Sequence, residues 1–239
     1  PPLWHQRATS QGGLFMLTIH HLNESRSQRV IWLAEELGLP YELVRHQRDP
    51  RTMLAPASLK ALHPLGKAPL VAHRGRVLAE TGAIVAALAR GSALLPDEGT
   101  DEGDAVRYWL HYAEGSAMPP LVMRLVLGRI PTSVPWPLRP VARAITGGVE
   151  TAYLGPEMTR QLDWWEASLT GDGRFAAGRF TAADVMMSFP VEMAALRGGL
   201  ADRPATRGWL DRIHARPAYQ RALVAGGPYS GAGTGERTA

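Results

Sequence analysis

The sequence predicts a two-part fold, an α/β layer domain followed by an all-helical domain, on three observations. Strand-like and helix-like patterns alternate from Met16 to about residue 98. No strand-like run follows between Asp104 and Val224, and the acidic, glycine-containing stretch "LLPDEGTDEGD" separates the two characters. Length agrees, since 239 residues suffice for one or two domains with a substantial core.

In the front part "MLTIHHL" alternates as a strand, and "SQRVIWLAEELGL" follows as an amphipathic helix that Gly38 ends. "YELVRHQ" reads as a second strand, and "TMLAPASLKALHP" as a short helix or irregular stretch stopped by Pro64. "APLVAHRGRVLAE" divides at Gly75 into a hairpin, and "TGAIVAALARG" is a third helix. The order β-α-β-α-β-β-α fits a parallel pair with a crossover helix plus a hairpin. The back part carries helices around "DAVRYWLHYAEGSAMPPLVMRLVLGRI", with a break or kink expected at Pro119-Pro120, and "TSVPWPLRP" as a stiff connector. Further helices follow in "VARAITGGVETAY", "PEMTRQLDWWEASL", "TAADVMMSFPVEMAAL" and "PATRGWLDRIHARPAYQRALVA". The expected division is 1–15 as a loose extension or cloning remnant, 16–98 and 104–225 as the two domains, and 226–239 as a flexible tail.

Composition excludes several functions. The formal charge of +4 comes almost wholly from scattered arginines with acids between them, so no basic stripe points to nucleic acid. No apolar run approaches the roughly 20 residues of a membrane span, and no secretory signal is recognisable, so a cytoplasmic location with no membrane partner is expected. The chain has no cysteine, which removes disulfides, thiolate metal sites and cysteine nucleophiles. Its eight histidines show no metal-ligand spacing, and no metal is expected. If thiol chemistry occurs, the thiol arrives with a substrate.

Three motifs stand out. In "HPLGKAPLV" Pro69 precedes an apolar strand; a cis Ala68-Pro69 bond would expose main chain near Ala68, although the trans form is the ordinary one. In "LAETGAI" Glu80 and Thr81 stand where a strand meets a helix, a place that favours an anion, with simple N-capping by Thr81 as the plainer alternative. In "FTAADVMMSF" Thr181 and Asp184 form a capping box, so Asp184 reads as a helix start rather than a catalytic acid.

Together with the loop and helix "SRSQRVIWLAEELGLPYEL", these pieces resemble glutathione transferases of the cytosolic type from about Met16 to Ala225. The wording "HHLNESRSQRV", "QRDPRTMLAP" and "AADVMMSFP" is most similar to a microbial branch with a serine-type loop. The resemblance implies an N-terminal thioredoxin-like domain, an all-helical second domain, a homodimer, and a cis bond before Pro69. It implies that glutathione is the co-substrate and that a small hydrophobic electrophile is its partner. Ala68 main chain, made available by Pro69, would pair with the cysteinyl unit. Glu80 and Thr81 would hold the γ-glutamyl end, and Lys67 the glycyl carboxylate. The family has serine more often than threonine at position 81; threonine keeps the hydroxyl but is stiffer at χ1.

A free thiol has a pKa of about 8.5 and reacts as thiolate. A loop hydroxyl can stabilise that thiolate by donating a hydrogen bond. Serine-type members place it four residues before an arginine, here Arg29, which selects Ser25 and leaves Ser27 to the helix start. Asn23 and Arg26 are alternative donors. Tyr108 and Tyr112 share a helical face with Gly115 and are candidates for the second-substrate pocket, the alternative being packing in the core or an interface. Other readings on the same fold are peroxide or disulfide reduction with glutathione, and a non-catalytic ligand-binding module.

Overall fold

The computed structural model describes residues 16–176 and 178–233, so the extension expected over 1–15 and the end of the tail lie outside the described residues. Strand β1 (Leu17–Leu22) leads into helix α1 (Ser27–Glu36), then β2 (Tyr41–His46), α2 (Ala57–Leu62), β3 (Leu70–His73), β4 (Arg76–Ala79) and α3 (Thr81–Ala89). The sheet order is β2-β1-β3-β4. β2 runs parallel to β1, with Leu17 opposite Tyr41 and Leu22 opposite His46, while β3 and β4 are antiparallel. This is the thioredoxin-like arrangement: the short β1-α1-β2 crossover demands a parallel pair, and the turn at Gly75, with φ of 72°, closes the hairpin.

The second part holds α4 (Asp101–Tyr112), α5 (Met118–Ser133), α6 (Arg139–Val149), α7 (Gly155–Leu169), α8 (Ala182–Ala195), α9 (Pro204–His214) and α10 (Pro217–Gly226). α4 continues into α5 through a π-helical turn at Ala113–Ala117 instead of breaking at the proline pair. The same device joins α6 to α7 through Glu150–Leu154, just before Pro156. A proline lacks an N–H and its ring crowds the preceding turn; the wider turn ahead of it lets the rod continue. The expected stiff connector is also shorter than its prolines suggested, because α5 runs on through Pro131 to Ser133.

One apolar core spans both parts. α1 is buried from Ser27 to Ala34, wedged between the sheet and the helical domain. Trp32 lies edge-on to Tyr219, with centroids 5.1 Å apart, and donates its indole N–H to Glu36 at 2.8 Å. Helix α8, buried along most of its length, is the axle of the second part. Its start is fixed by the capping box: Thr181 N–H donates to the Asp184 carboxylate at 2.9 Å, and the Thr181 hydroxyl accepts from Ala183 N–H.

The described part of the tail, glycine-rich as it is, makes contacts with the rest of the chain. Tyr229 is buried and donates its hydroxyl to Glu192, and Ser230 N–H donates to the Glu24 carboxylate at 3.0 Å. A buried aromatic with a buried acceptor opposes the freedom of its glycines. Among the described residues no helix is long and apolar enough to cross a membrane.

Candidate functional site

The loop between β1 and α1 carries Asn23, Glu24, Ser25 and Arg26. Glu24 has φ of 50°, a left-handed conformation that persists where neighbours over-determine it. The neighbours are visible: Arg48 donates its amide N–H to Asn23 Oδ1 at 2.8 Å and its guanidinium to the carbonyls of Asn23 and Glu24, and Ser230 holds the Glu24 side chain. The loop therefore presents Ser25 from a clamped backbone.

The two serines divide their tasks differently from the sequence expectation. Ser25 Oγ accepts Ser27 N–H at 3.2 Å and donates to the Leu22 carbonyl at 2.8 Å, while the N-cap position of α1 belongs to Arg26. Ser27 is wholly buried and turns back to β1, with its Oγ 2.8 Å from His21 Nδ1 and accepting Leu22 N–H at 3.1 Å. The hydroxyls lie 2.7 Å apart, so Ser25, Ser27 and His21 form a continuous hydrogen-bonded chain. Ser25 lines the groove; Ser27 does not.

Two neighbouring cavities meet at Arg26, Lys67 and Ala68. The narrower, about 100 Å³, runs along Ala68, Pro69, Glu80 and Thr81. The wider, about 370 Å³, has Ser25, Arg48 and Lys67 on one side and an apolar wall of Met118, Leu121, Val122, Leu125, Phe189 and Met193 on the other. The Ala68-Pro69 peptide is cis. Gly66 before it has φ of 57°, and a Cβ there would come 2.5 Å from Lys60 Cγ, so glycine is required to deliver Lys67 to the rim. Glu80 is the N-cap of α3 with φ of 69°, and Thr81 is its first helical residue, buried and without a side-chain cap bond. The plain capping reading of Thr81 therefore fails, because Glu80 occupies that position.

Asn23 spends its side-chain oxygen on Arg48 and lines neither cavity. Arg26 lines both and pairs with Glu114 at 3.2 Å. Tyr108 and Tyr112, the candidates for the second-substrate pocket, line neither of these two cavities. They stack on one another with centroids 5.7 Å apart, and Tyr112 is tied into α7 by Gln161 and by Trp165 Nε1 at 2.9 Å. Helical spacing showed which residues share a face, but not where the face points. A larger open depression of about 1130 Å³ lies between α3 and α4, but it contains neither Ser25 nor Pro69.

The sequence missed Arg29, Glu114 and Phe189 as a unit. Arg29 is buried, donates to the Met186 carbonyl at 2.7 Å and to Glu114 at 2.5 Å, and lies 5.2 Å from the Phe189 ring centre. Burial pushes its pKa down, while Glu114 pulls it back up. It also missed Glu192, a buried carboxylate that accepts from Tyr219 at 2.6 Å and Tyr229 at 2.7 Å, 3.1 Å from His214 Nε2. Among the described residues no group of three or more His, Cys, Asp or Glu is placed to hold a metal ion.

Burial pushes the His20 ring down to about 4, with His46 adding to it. His21 is likewise pushed down to about 4 by burial; the Gly226 backbone opposes this, and Arg45 and His46 add to it. Depressed folded-state values mean that the unfolded chain takes up these protons first. Stability is thus fully present above pH ~6.5 and is lost as pH falls through ~4. For His21 the loss is expected to reach about 2 to 3 kcal/mol. Urea midpoints at pH 7 and pH 4.5 measure it, and the drop should shrink in His21→Asn.

The chain is similar to several known proteins. A profile of the glutathione S-transferase N-terminal domain matches residues 25–90. Glutathione S-transferase 1 of Saccharomyces cerevisiae is 35% identical over 217 residues, covering 85% of this chain and 92% of the relative. Glutathione S-transferase 3 of Schizosaccharomyces pombe is 36% identical, covering 87% and 86%. The crystal structure of a glutathione S-transferase from Actinobacillus pleuropneumoniae superposes with a TM-score of 0.71 at 31% identity, covering 88% and 92%. Such a fold defines a thioredoxin-like domain joined to an all-helical one. The chain belongs to the glutathione S-transferase family.

Proposed function

We propose that this chain is a glutathione transferase in which Ser25 stabilises the thiolate of bound glutathione for attack on a small hydrophobic electrophile. The observation that carries it is the shared groove: Ser25 stands at the wide, apolar-walled end, and Ala68, Pro69, Glu80 and Thr81 line the narrow end. In this reading Ala68 main chain pairs with the cysteinyl unit, Lys67 takes the glycyl carboxylate, and Glu80 and Thr81 hold the γ-glutamyl end. The proton balance is simple. Ser25 turns its O–H from the Leu22 carbonyl to the sulfur, while Ser27 N–H still donates to Ser25 Oγ and keeps it in place. A serine hydroxyl is no base; the thiol proton leaves to solvent, and the hydrogen bond favours the anion left behind. Arg26 adds positive potential, shared with Glu114.

The serine-type microbial character, a cytoplasmic location and a detoxifying role belong to the same reading. So does a homodimer, for which the open α3–α4 face, with Tyr108 and Trp164 exposed nearby, offers a surface. Ser25→Ala is expected to raise the thiol pKa of bound glutathione by about one to two units toward the free value. Thiolate absorbance titration reads this directly, with Arg26→Gln and Asn23→Ala in parallel. An unchanged titration in Ser25→Ala together with a raised one in Arg26→Gln would move the role to the arginine.

A further inference from the structure

The wider cavity holds a cation that glutathione, as placed above, does not use. Four basic residues line it: Arg26, Arg48, Lys67 and Arg197. Arg26 is paired with Glu114, Arg48 is spent on the carbonyls of Asn23, Glu24 and Met53, and Lys67 stands at the junction with the narrow groove. Arg197 is different. It lies just beyond the C-terminal end of α8, lines only the wide cavity, and donates to the Met193 carbonyl at 3.2 Å. Among the described residues it has no carboxylate partner. The one acid that lines the same cavity, Glu24, is held by Ser230 N–H.

Nearby Arg124 is paired with Glu150, so its repulsion of Arg197 is partly answered already. Arg197 is exposed to solvent as a whole; partial desolvation and Arg124 push its pKa down, which an arriving anion would reverse. A guanidinium has a planar fork that suits a carboxylate, and here it stands beside an apolar wall with room for a ring.

We propose that the second substrate of this site is an apolar electrophile carrying a carboxylate or equivalent anionic group. Its apolar body lies on Met118, Leu121 and Phe189, and its anion is received by Arg197. This deepens the transferase reading and rests on it for the chemical step. In that step the glutathione sulfur forms a bond to the electrophilic carbon, and the leaving group departs with its bonding electrons.

The test compares 4-chloro-3,5-dinitrobenzoate with its methyl ester, each rate divided by its uncatalysed rate with glutathione; both lose chloride. The wild-type protein is expected to favour the acid over the ester by about tenfold in kcat/KM. Arg197→Gln should remove that preference, and Arg197→Glu should invert it. A binding arm that needs no turnover compares S-(4-carboxybenzyl)glutathione with S-benzylglutathione by calorimetry, with the same order expected. Equal affinities for the two conjugates in the wild-type protein would overturn the proposal. So would an Arg197→Gln variant that weakens both conjugates and glutathione alike, which would give the arginine to glutathione itself. No turnover of either electrophile, with the carboxybenzyl conjugate still preferred, would overturn the transferase reading and leave the anion site standing.

Discussion

Replacing Asp184 by alanine is expected to cost about 3 to 5 kcal/mol of stability. The carboxylate is fully buried at the first turn of α8 and accepts from two residues in different parts of the chain: Thr181, by its N–H at 2.9 Å and its hydroxyl at 3.4 Å, and Trp209, by Nε1–H at 2.8 Å. Alanine leaves the Thr181 and Trp209 N–H groups dry and unpaired, and each such group costs about 1 to 3 kcal/mol. The helix also loses half of its capping box, and Trp209, itself buried, loses the bond that fixes α9 against α8. Burial pushes the Asp184 pKa up while Trp209 and Thr181 pull it down, so its hydrogen bonds oppose the penalty of burying the charge. Asp184→Asn keeps one acceptor and should fall between the wild type and alanine. Urea unfolding of the three proteins gives the order, and a loss below about 1 kcal/mol for Asp184→Ala would refute this account of α8.

That box was legible in the sequence because its partners are three residues apart, and the same holds for the strands, the hairpin at Gly75 and the helix start at residue 80. Each is decided by local periodicity or by a residue with a restricted backbone. The partners of Asp184 beyond the box were not legible, since Trp209 lies 25 residues on. Nor was the docking of the tail: a lone tyrosine among glycines carries no period, and its acceptor, Glu192, sits on the inner face of α8. The loop "NESRS" was legible as a polar junction but not in its detail. Which serine lines the groove and which turns inward depends on His21, whose ring is delivered by β1 and not by the loop. The surroundings of Tyr108 and Tyr112 were not legible for a related reason. Spacing fixes a shared helical face, whereas the orientation of that face is set by packing against α7.

The bridge between the two parts yields the other large effect, and its sign depends on which partner is removed. Arg29 on α1 is 2% exposed and Glu114 on the π turn is 33% exposed, and the pair links the first domain to the second. Glu114→Leu strands a buried guanidinium whose remaining partner is the Met186 carbonyl, and is expected to cost about 3 to 5 kcal/mol. Arg29→Met removes the charge that needs compensation and leaves Glu114 partly in water and still paired with Arg26, so the loss should be smaller, about 1 to 3 kcal/mol. The double variant should then be more stable than Glu114→Leu alone, because the second change relieves the charge that the first one strands. The groove should register the difference as well. Without Glu114, Arg26 loses its anchor beside Lys67 and Ala68, so glutathione KM is expected to change in Glu114→Leu more than in Arg29→Met. Urea midpoints for the four proteins test the stability order, and an Arg29→Met variant as unstable as Glu114→Leu would mean that the buried charge is not what the carboxylate compensates. The π turn gives this pair its place: the extra residue it accommodates ahead of Pro119 is what lets the helix continue, and the same turn carries the carboxylate that reaches Arg29 and Arg26.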